Sequence, residues 1–203
     1  MRIHAYGRGA LLVELASLSE VLGLHAELRG DPPHGLVETV PTARTLLVSF
    51  DPRRTTPAAI ATEVRGRRVV GHRFEVGPEV EIHIRYDGED LDEVARLTGW
   101  RPAQIVRRHL ARTYVVAFIG FAPGFYFLAG GDDALAVPRR SAPRTDVPRG
   151  AVGLAGEFTG IYPRTGPGGW QVIGHTPAGL WDLDRTPSAM LTPGTRVRFL
   201  DAT

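Results

Sequence analysis

The second half of the chain consists of short apolar runs separated by glycine and proline, and this spacing limits its possible folds more than any other feature. After Thr113 the runs YVVAFIGF, AVGLAG, WQVIG, GLWDL and TRVRFL follow one another. Short runs bounded by turn residues are typical of strands. The pattern predicts a closed or nearly closed antiparallel barrel, with the last run, which follows the turn LTPG, as its closing strand.

The first part of the chain mixes strands and helices. Its predicted strands are residues 3–5, residues 10–15, the pair GLVETV and RTLLVSF, and the alternating run at 80–85. Its helices are SLSEVLGLHAELRG, capped at Ser17 or Ser19, and TTPAAIATEVRG, capped at Thr55 or Thr56. The order β-α-β-β-α-β predicts an α+β domain of the ferredoxin-like type. We place this domain at residues 1–77, a mostly-β barrel domain at 78–203, and a linker around 76–78.

Two short helices precede the β-rich part. In DLDEVARLTG, Asp90 and Glu93 form a capping-box pattern and Gly99 follows the helix end. The next helix, RPAQIVRRHL, makes the pair resemble a helix-turn-helix with a basic second helix that carries Arg107, Arg108 and His109. However, Pro102 and Ile105 stand where base contacts should lie. We therefore expect a structural helix pair that covers one end of the barrel, and no nucleic-acid binding.

The composition excludes several kinds of chemistry. The sequence has no cysteine and no lysine, which rules out thiol nucleophiles, a P-loop lysine and a Schiff-base lysine. The seven histidines show no metal-binding spacing, and none of the five serines lies in a G-x-S-x-G turn. No catalytic residue and no metal site is predicted. The chain also lacks an apolar stretch of about 18 residues and a signal-peptide pattern, so we expect a cytoplasmic protein.

The stretch FIGFAPGFYFLAGG, residues 118–131, carries an unusual number of aromatic rings around a Pro-Gly pair. We interpret residues 114–119 as a core strand, 120–124 as a break, and 125–128 as the return to regular structure. In this interpretation Phe118 and Phe127 are core residues. Phe121 and Phe125 form a bent rim that faces a ligand or a partner.

Pro-Arg pairs recur through VPRRSAPRTDVPRG, at 138–139, 143–144 and 148–149. Proline stiffens each segment, and a rigidly held guanidinium group binds carboxylates or phosphates well. Arg139 and Arg144 are therefore candidate ligand-binding residues. The alternative is a proline-rich surface crossing whose arginines pair with local acids.

The stretch TGIYPRTGPGGWQVIGHTP places a glycine loop between a tyrosine and a tryptophan. Backbone N–H groups in such a loop can point at an oxyanion, although a tight turn with core aromatics would look the same. Together the three stretches predict the walls of one substrate pocket. Its candidate residues are Arg139, Arg144, Phe121, Phe125, Tyr162, Gly168, Gly169 and Trp170.

The segment from GFAPGFYF to IGHTP resembles the allophanate hydrolase subunit 1 family, whose members are also described as the B subunit of 5-oxoprolinase and as the sporulation kinase inhibitor Kip I. YDGEDLDEVARLTG, His109 and the early ALLVEL fit the same pattern, so the resemblance covers nearly the whole chain. It implies the carboxyltransferase subdomains C and D: an N-terminal α+β domain followed by a cyclophilin-like β-barrel. Three positions depart from the pattern, namely Arg8 for aspartate, Phe158 for glutamine and His175 for arginine. They affect the expected substrate more than the fold.

The resemblance also implies partners. A C subunit and this chain would resemble the two halves of the carboxyltransferase domain of urea carboxylase. With an A subunit they would open the lactam of 5-oxoproline to L-glutamate, with ATP consumed by the complex at a site not assigned to this chain. The expected ligand is a small amide or lactam, and no activity is expected from the chain alone. Two alternatives stay open: a module that inhibits a histidine kinase, and half of a urea or amide carboxyltransferase-type enzyme like allophanate hydrolase.

Overall fold

The computed structural model describes residues 1–69, 71 and 77–202. The chain divides into two compact units, residues 1–73 and 74–203. The expected domain boundary lies between residues 77 and 78. The linker expected at 76–78 includes residue 76, which lies outside the described residues together with residues 72–75. That boundary therefore stays a prediction.

In the described part of the first unit, four strands form an antiparallel sheet and two helices pack with it. The elements are β1 Arg2–Ala5, β2 Ala10–Glu14, α1 Leu18–Gly30, β3 Leu36–Pro41, β4 Thr45–Phe50 and α2 Pro57–Gly66, and the sheet order is β1-β2-β4-β3. Ser17 caps α1 by accepting the Glu20 N–H, and Thr56 caps α2 by accepting the Ala59 N–H. Both helices thus begin at a cap residue that the sequence predicted.

The ferredoxin-like order is not what this unit shows. Its described elements run β-β-α-β-β-α, because an N-terminal strand, β1, pairs with β2 at the edge of the sheet. The strand predicted at 80–85 as the last of the α+β domain is β5, Glu79–Ile84, and it belongs to the sheet of the second unit. The alternating pattern identified the strand correctly, but alternation carries no information on which sheet a strand joins.

The second unit is mostly β. Its further elements are α3 Leu91–Thr98, α4 Pro102–Leu110, β6 Thr113–Ile119, β7 Tyr126–Ala129, a short 3-10 helix Asp133–Leu135, β8 Arg144–Val147, β9 Ala151–Ala155, β10 Phe158–Ile161, β11 Gly166–Gly168, β12 Gln171–His175 and β13 Arg196–Asp201. Among the described residues, seven strands form one sheet in the order β12-β9-β10-β7-β6-β13-β5, and β8 pairs with β11. All these pairs are antiparallel except that of β5 with β13.

The seven-stranded sheet curls until its two edge strands meet. Within the described part of the chain, the join is one bridge between Arg85 and His175, whose backbone groups exchange hydrogen bonds of 2.9 and 2.8 Å. Gly174 is required there, because a Cβ would overlap the Arg85 carbonyl oxygen. The expected nearly closed barrel is thus present as a curled half-barrel. The strand after LTPG, β13, does not close it, since it lies between β6 and β5.

The helix pair α3–α4 packs against this sheet. Val94 and Ile105, one from each helix, are fully buried in the same core cluster as residues of the sheet. Ile105 is therefore a core residue, as a structural helix pair requires. No helix in the described residues is long and apolar enough to cross a membrane.

Candidate functional site

Three of the four aromatic residues predicted to line a pocket are buried. Phe125, Tyr162 and Trp170 are 1%, 2% and 4% exposed. The ring of Phe125 lies edge-on to Tyr162 at 5.1 Å and to Trp170 at 5.3 Å between centroids. The rim interpretation of Phe125 is thus wrong: these rings pack against one another, and their faces are not open to a flat ligand. Any direct contact of theirs with substrate stays a prediction.

Phe121 is the exception among the predicted aromatic residues, with 68% of its surface exposed. Its φ is +68°, which a bulky side chain rarely adopts. The loop is held by the Phe125 N–H, which donates to the Ala122 carbonyl at 3.0 Å, and the Phe121 ring lies edge-on to Phe125 at 5.4 Å. The expected break at 120–124 therefore presents one strained, exposed ring.

Arg139 is exposed and lies over the ring of Trp170. Its guanidinium carbon is 6.0 Å from the centroid of the Trp170 ring, at the outer limit of a cation–π contact. Among the described residues, its guanidinium forms no ion pair with a carboxylate. Arg139 is therefore a cation that an anionic ligand can still bind.

Arg144 is already bound to acids of its own chain. It donates two hydrogen bonds to the Asp90 carboxylate, at 2.7 and 2.8 Å, and pairs with Glu89 at 2.9 Å. Arg140 donates to the same Asp90 carboxylate, and so does the Val172 N–H, at 2.7 Å. We call Asp90 with these donors the Asp90 hub. A ligand carboxylate could bind Arg144 only by displacing Asp90, so that predicted role stays a prediction.

The Asp90 hub is a feature that the sequence interpretation missed. Asp90 was expected to cap α3, but its side chain forms no cap hydrogen bond. Asp90 is 2% exposed, and burial by itself raises the pKa of a carboxyl group. The hydrogen bonds from Arg144 and the Val172 N–H outweigh this effect and hold the Asp90 pKa below its usual range. The alternative interpretation of the sequence, in which these arginines pair with local acids, predicted an ion pair of this kind. It did not identify Asp90 as the acid.

The glycine loop, residues 166–169, and the stretch VPRRSAPRTDVPRG, residues 137–150, which we call the arginine segment, form one substructure. Gly168 pairs with Arg144 between β11 and β8, and the Arg140 N–H donates to the Gly169 carbonyl at 2.8 Å. A Cβ at Gly168 would overlap the Tyr162 hydroxyl. The structure thus brings Arg139, Arg144, Gly168 and Gly169 together, as the sequence predicted. Whether their N–H groups face an oxyanion stays a prediction.

His109, which the sequence placed on the basic second helix of the pair, is fully buried. Its Nδ1 is 2.7 Å from the Tyr86 hydroxyl and its Nε2 is 3.1 Å from the Thr159 hydroxyl. Burial lowers the pKa of His109 to about 3, so the ring is neutral at pH 7. Among the described residues, no group of three or more His, Asp or Glu side chains could hold a metal ion.

Two of the three departures from the family pattern have a structural setting. Phe158 is 7% exposed and lies edge-on to Phe118 and Phe127, both at 5.7 Å, so an apolar ring suits its surroundings. His175 forms the bridge that joins the sheet edges, and its Nδ1 is hydrogen-bonded to Asp87 Oδ1 at 2.7 Å. Nothing in the structure explains Arg8, which is exposed in the first unit.

The sequence matches the family model of the carboxyltransferase domain, subdomain C and D, over residues 1–191. It is 37% identical over 190 residues to the 5-oxoprolinase B subunit of Bacillus subtilis (strain 168), covering 86% of this chain and 79% of the relative. It is 36% identical over 211 residues to the 5-oxoprolinase B subunit of Escherichia coli O157:H7, covering 98% and 95%.

Solved structures show the same architecture. The crystal structure of TTHA0988 in space group P212121 superposes with a TM-score of 0.75 at 37% identity, and the match covers 96% of this chain. This chain spans 40% of that longer chain. The K. lactis urea amidolyase matches with a TM-score of 0.80 at 17% identity, over 99% of this chain and 15% of that one, which is a likeness of fold.

Proposed function

Because the chain belongs to the carboxyltransferase subdomain C and D family, we propose that it is the B subunit of a cytoplasmic, ATP-dependent 5-oxoprolinase complex. The complex opens the lactam of 5-oxoproline to L-glutamate. One observation carries this proposal. Two relatives are named as the B subunit of 5-oxoprolinase, and they are 37% and 36% identical to this chain. Each match covers most of the relative and most of this chain.

The chain acts together with a C subunit and an A subunit, and ATP is consumed by the assembly. The hydrogen bonds of two of its polar residues support an active site that the subunits share. His109 is buried and hydrogen-bonded on both ring nitrogens, and Arg144 is bound to Asp90. Neither group is placed to transfer a proton or a phosphoryl group to a bound ligand. We assign the reacting groups to the partner subunits, and the binding and orientation of the substrate to this chain.

Arg139 is the residue we assign to the substrate carboxylate, because its guanidinium is exposed and forms no ion pair within the described chain. N–H groups at Gly168 and Gly169 stabilise the negative charge that develops on the lactam oxygen. The buried rings of Phe125, Tyr162 and Trp170 give this region a rigid, dry support, which strengthens electrostatic interactions at its surface.

The test of the function is co-purification with candidate C and A subunits, followed by an assay for ATP-dependent conversion of 5-oxoproline to glutamate. Activity is expected from the assembly and not from the chain alone. No activity in the full assembly would overturn the assignment.

The arginine assignment is tested in the same assembly. Arg139→Ala should weaken substrate binding by about 1.5–3 kcal/mol, the usual contribution of a hydrogen bond to a charged group. The matched control is Arg149→Ala, which alters another exposed arginine of a Pro-Arg pair and should leave activity unchanged. If Arg139→Ala and Arg144→Ala both leave activity unchanged, neither arginine binds the substrate.

A second candidate function is half of a carboxyltransferase-type enzyme that acts on urea or another amide. The likeness of fold to urea amidolyase, with a TM-score of 0.80, favours this candidate. The assembled complex distinguishes the two, because consumption of urea but not of 5-oxoproline would support the carboxyltransferase. The kinase-inhibitor alternative stays a prediction, which binding to a purified histidine kinase would test.

A further inference from the structure

The outer side of α4 is a basic surface to which the proposed function assigns no role. Ile105 and His109 are fully buried and hold the other side of the helix against the core. Four arginines lie on the outer side or at the ends of the helix: Arg101 at its N-cap, Arg107 and Arg108 in its last turn, and Arg112 just after its end. We call these four arginines the α4 basic face.

Two adjoining depressions, of about 490 and 440 Å³, follow the α4 basic face. Gln104 and Arg107 line both of them, Arg108 and Arg112 line the first, and Arg101 lines the second. The four arginines therefore border one concave stretch of surface.

The charges of this face are not balanced within the described residues. Four arginines and one acid, Asp132, line the two depressions, which leaves a net charge of +3. Asp132 is bound by Arg108 at 2.6 Å. Among the described residues, the other three arginines form no ion pair with a carboxylate. The face can therefore bind several anionic groups without displacing an acid of its own chain.

Helix stability explains only part of this charge. Cations near the C-terminal end of a helix interact favourably with its dipole, which accounts for Arg107 and Arg108. Arg101 is the N-cap residue, where the same dipole disfavours a cation, and the first turn contains no acid. An arginine at that end without an acid partner indicates an anion outside this chain.

Trp100 and Arg108 give the face a fixed centre. The Arg108 guanidinium carbon lies 3.9 Å from the centroid of the Trp100 ring, and the Asp132 carboxylate holds the same group. Asp132 is itself fixed, because its side chain accepts the Ala134 N–H at 3.0 Å. Tryptophan and arginine are enriched among the residues that contribute most to protein interfaces. Side chains that are already ordered also lose less entropy on binding.

The length of the face favours a protein segment over a small anion. Arg101 and Arg112 are eleven positions apart, which corresponds to about 16 Å at the helical rise. One phosphate or carboxylate group cannot contact both ends of such a row. Nucleic acid is the other long polyanion, but Ile105 is buried where a reading helix would contact bases.

We propose that the α4 basic face docks an acidic segment of a partner subunit, whose carboxylates pair with Arg101, Arg107 and Arg112. The inference goes beyond the proposed function, which assigns no surface of this chain to its partners. It rests on the proposed function only for the source of the segment, a subunit of the same complex.

The first experiment measures binding of the full chain to the purified candidate C and A subunits by biolayer interferometry. The double variant Arg107→Gln, Arg112→Gln should weaken the binding of one of them about tenfold, which is about threefold for each exposed ion pair. The matched control is Arg149→Gln, Arg164→Gln, which removes the same charge from exposed arginines elsewhere in the second unit. It should leave both affinities unchanged. Equal affinities of the two double variants for both subunits would overturn the inference.

The ATP-dependent 5-oxoproline assay separates docking from chemistry. The Arg107→Gln, Arg112→Gln variant should raise about tenfold the concentration of partner subunit that gives the half-maximal rate. The maximal rate at saturating partner should not change, because the face takes no part in the reaction. A reduced maximal rate with an unchanged half-saturating concentration would contradict a docking role.

A peptide tests the chemistry of the face on the full chain without the complex. One helical peptide carries a row of glutamates along one side, and its counterpart carries glutamines at the same positions. The Trp100 indole N–H signal in ¹H–¹⁵N correlation spectra should shift with the glutamate peptide, while those of Trp170 and Trp181 do not. The binding should weaken between about 50 and about 300 mM salt, since exposed charges are screened. Equal binding of the two peptides, or stronger binding of duplex DNA or tripolyphosphate, would count against an acidic protein segment.

Failure of this inference is distinguishable from failure of the proposed function. An assembly that is active on 5-oxoproline and insensitive to Arg107→Gln, Arg112→Gln would overturn the inference alone. An assembly without turnover, whose isolated chain still binds the glutamate peptide beside Trp100, would overturn the proposed function and support the acidic ligand of this face.

Discussion

Arg144 donates hydrogen bonds from two guanidinium nitrogens to the two carboxylate oxygens of Asp90, at 2.7 and 2.8 Å, across a sequence separation of 54 residues. The same carboxylate accepts the Val172 N–H at 2.7 Å. One buried acid therefore joins the start of α3, the arginine segment and β12. Arg139, whose guanidinium lies over the Trp170 ring, forms no ion pair with the described residues, and we assign the ligand to it.

Asp90→Asn should destabilise the chain by about 2–3 kcal/mol, because it leaves the partly buried Arg140 without its counter-charge and leaves Arg144 with only the exposed Glu89. Urea unfolding followed by circular dichroism measures the free energy of unfolding. The control is Glu93→Gln, which removes an exposed ion pair with Arg96 and should leave the free energy of unfolding nearly unchanged. Equal stability of the two variants would show that the Asp90 hub contributes no more than a surface pair.

His109 should make the chain less stable as the solution becomes mildly acidic. Its folded pKa of about 3 lies below the unfolded value of about 6.5. The unfolded state therefore binds the proton first, and the stability is fully present above pH 6.5 and falls as the pH decreases towards 3. Between pH 7.5 and 5.0 the loss should be about 2 kcal/mol, at about 1.4 kcal/mol per pH unit below 6.5.

The measurement is urea unfolding at both pH values. His109→Phe removes the titrating group and should abolish most of this pH dependence, because the new ring can pack against Phe199, whose centroid is 4.7 Å from that of His109. His83→Gln is the control, since His83 is exposed on β5 and should leave the dependence unchanged. An unchanged pH dependence in His109→Phe would contradict the assignment of this pH dependence to His109.

The Phe121→Ala variant should be less stable than the Phe121→Gly variant. Its φ of +68° disfavours any side chain with a Cβ, and glycine adopts it without strain. Phe121→Gly should exceed Phe121→Ala in free energy of unfolding by about 1 kcal/mol, measured by urea unfolding. If the exposed ring contacts substrate or another protein of the complex, both variants should lower the activity of the assembly alike. Greater stability of the alanine variant would argue against this backbone conformation.

Gly88→Ala should prevent the edges of the half-barrel from meeting. A Cβ at Gly88 would overlap the backbone of Ile173 and Gly174, which cannot move as a flexible side chain could. We expect a loss of about 3 kcal/mol or more, measured by thermal or urea unfolding. Gly30→Ala is the control, because it lies at the end of α1 with open space around it and should be neutral or slightly stabilising. Similar stability of both variants would contradict the close approach.

Short-range features were predictable from the sequence because they depend on a few adjacent residues. Ser17 and Thr56 cap their helices, and Gly99 ends α3 with a φ of 74°. The strand at 114–119, its break at 120–124 and the strand after it were placed to within about two residues, the usual uncertainty of element ends. The grouping of Arg139, Arg144 and the glycine loop also followed from the sequence.

Long-range pairings were decided only by the tertiary structure. The sequence counted β5 in the ferredoxin-like order although the predicted boundary left it in the second domain, made β13 the closing strand and placed Phe125 on an exposed rim. It interpreted Asp90 as a helix cap. Local patterns determine that a residue is in a strand, or that an acid stands before a helix. Which strand or which arginine it meets depends on contacts between residues 50 or more positions apart, and these form only when the sheet curls and brings its two edges together.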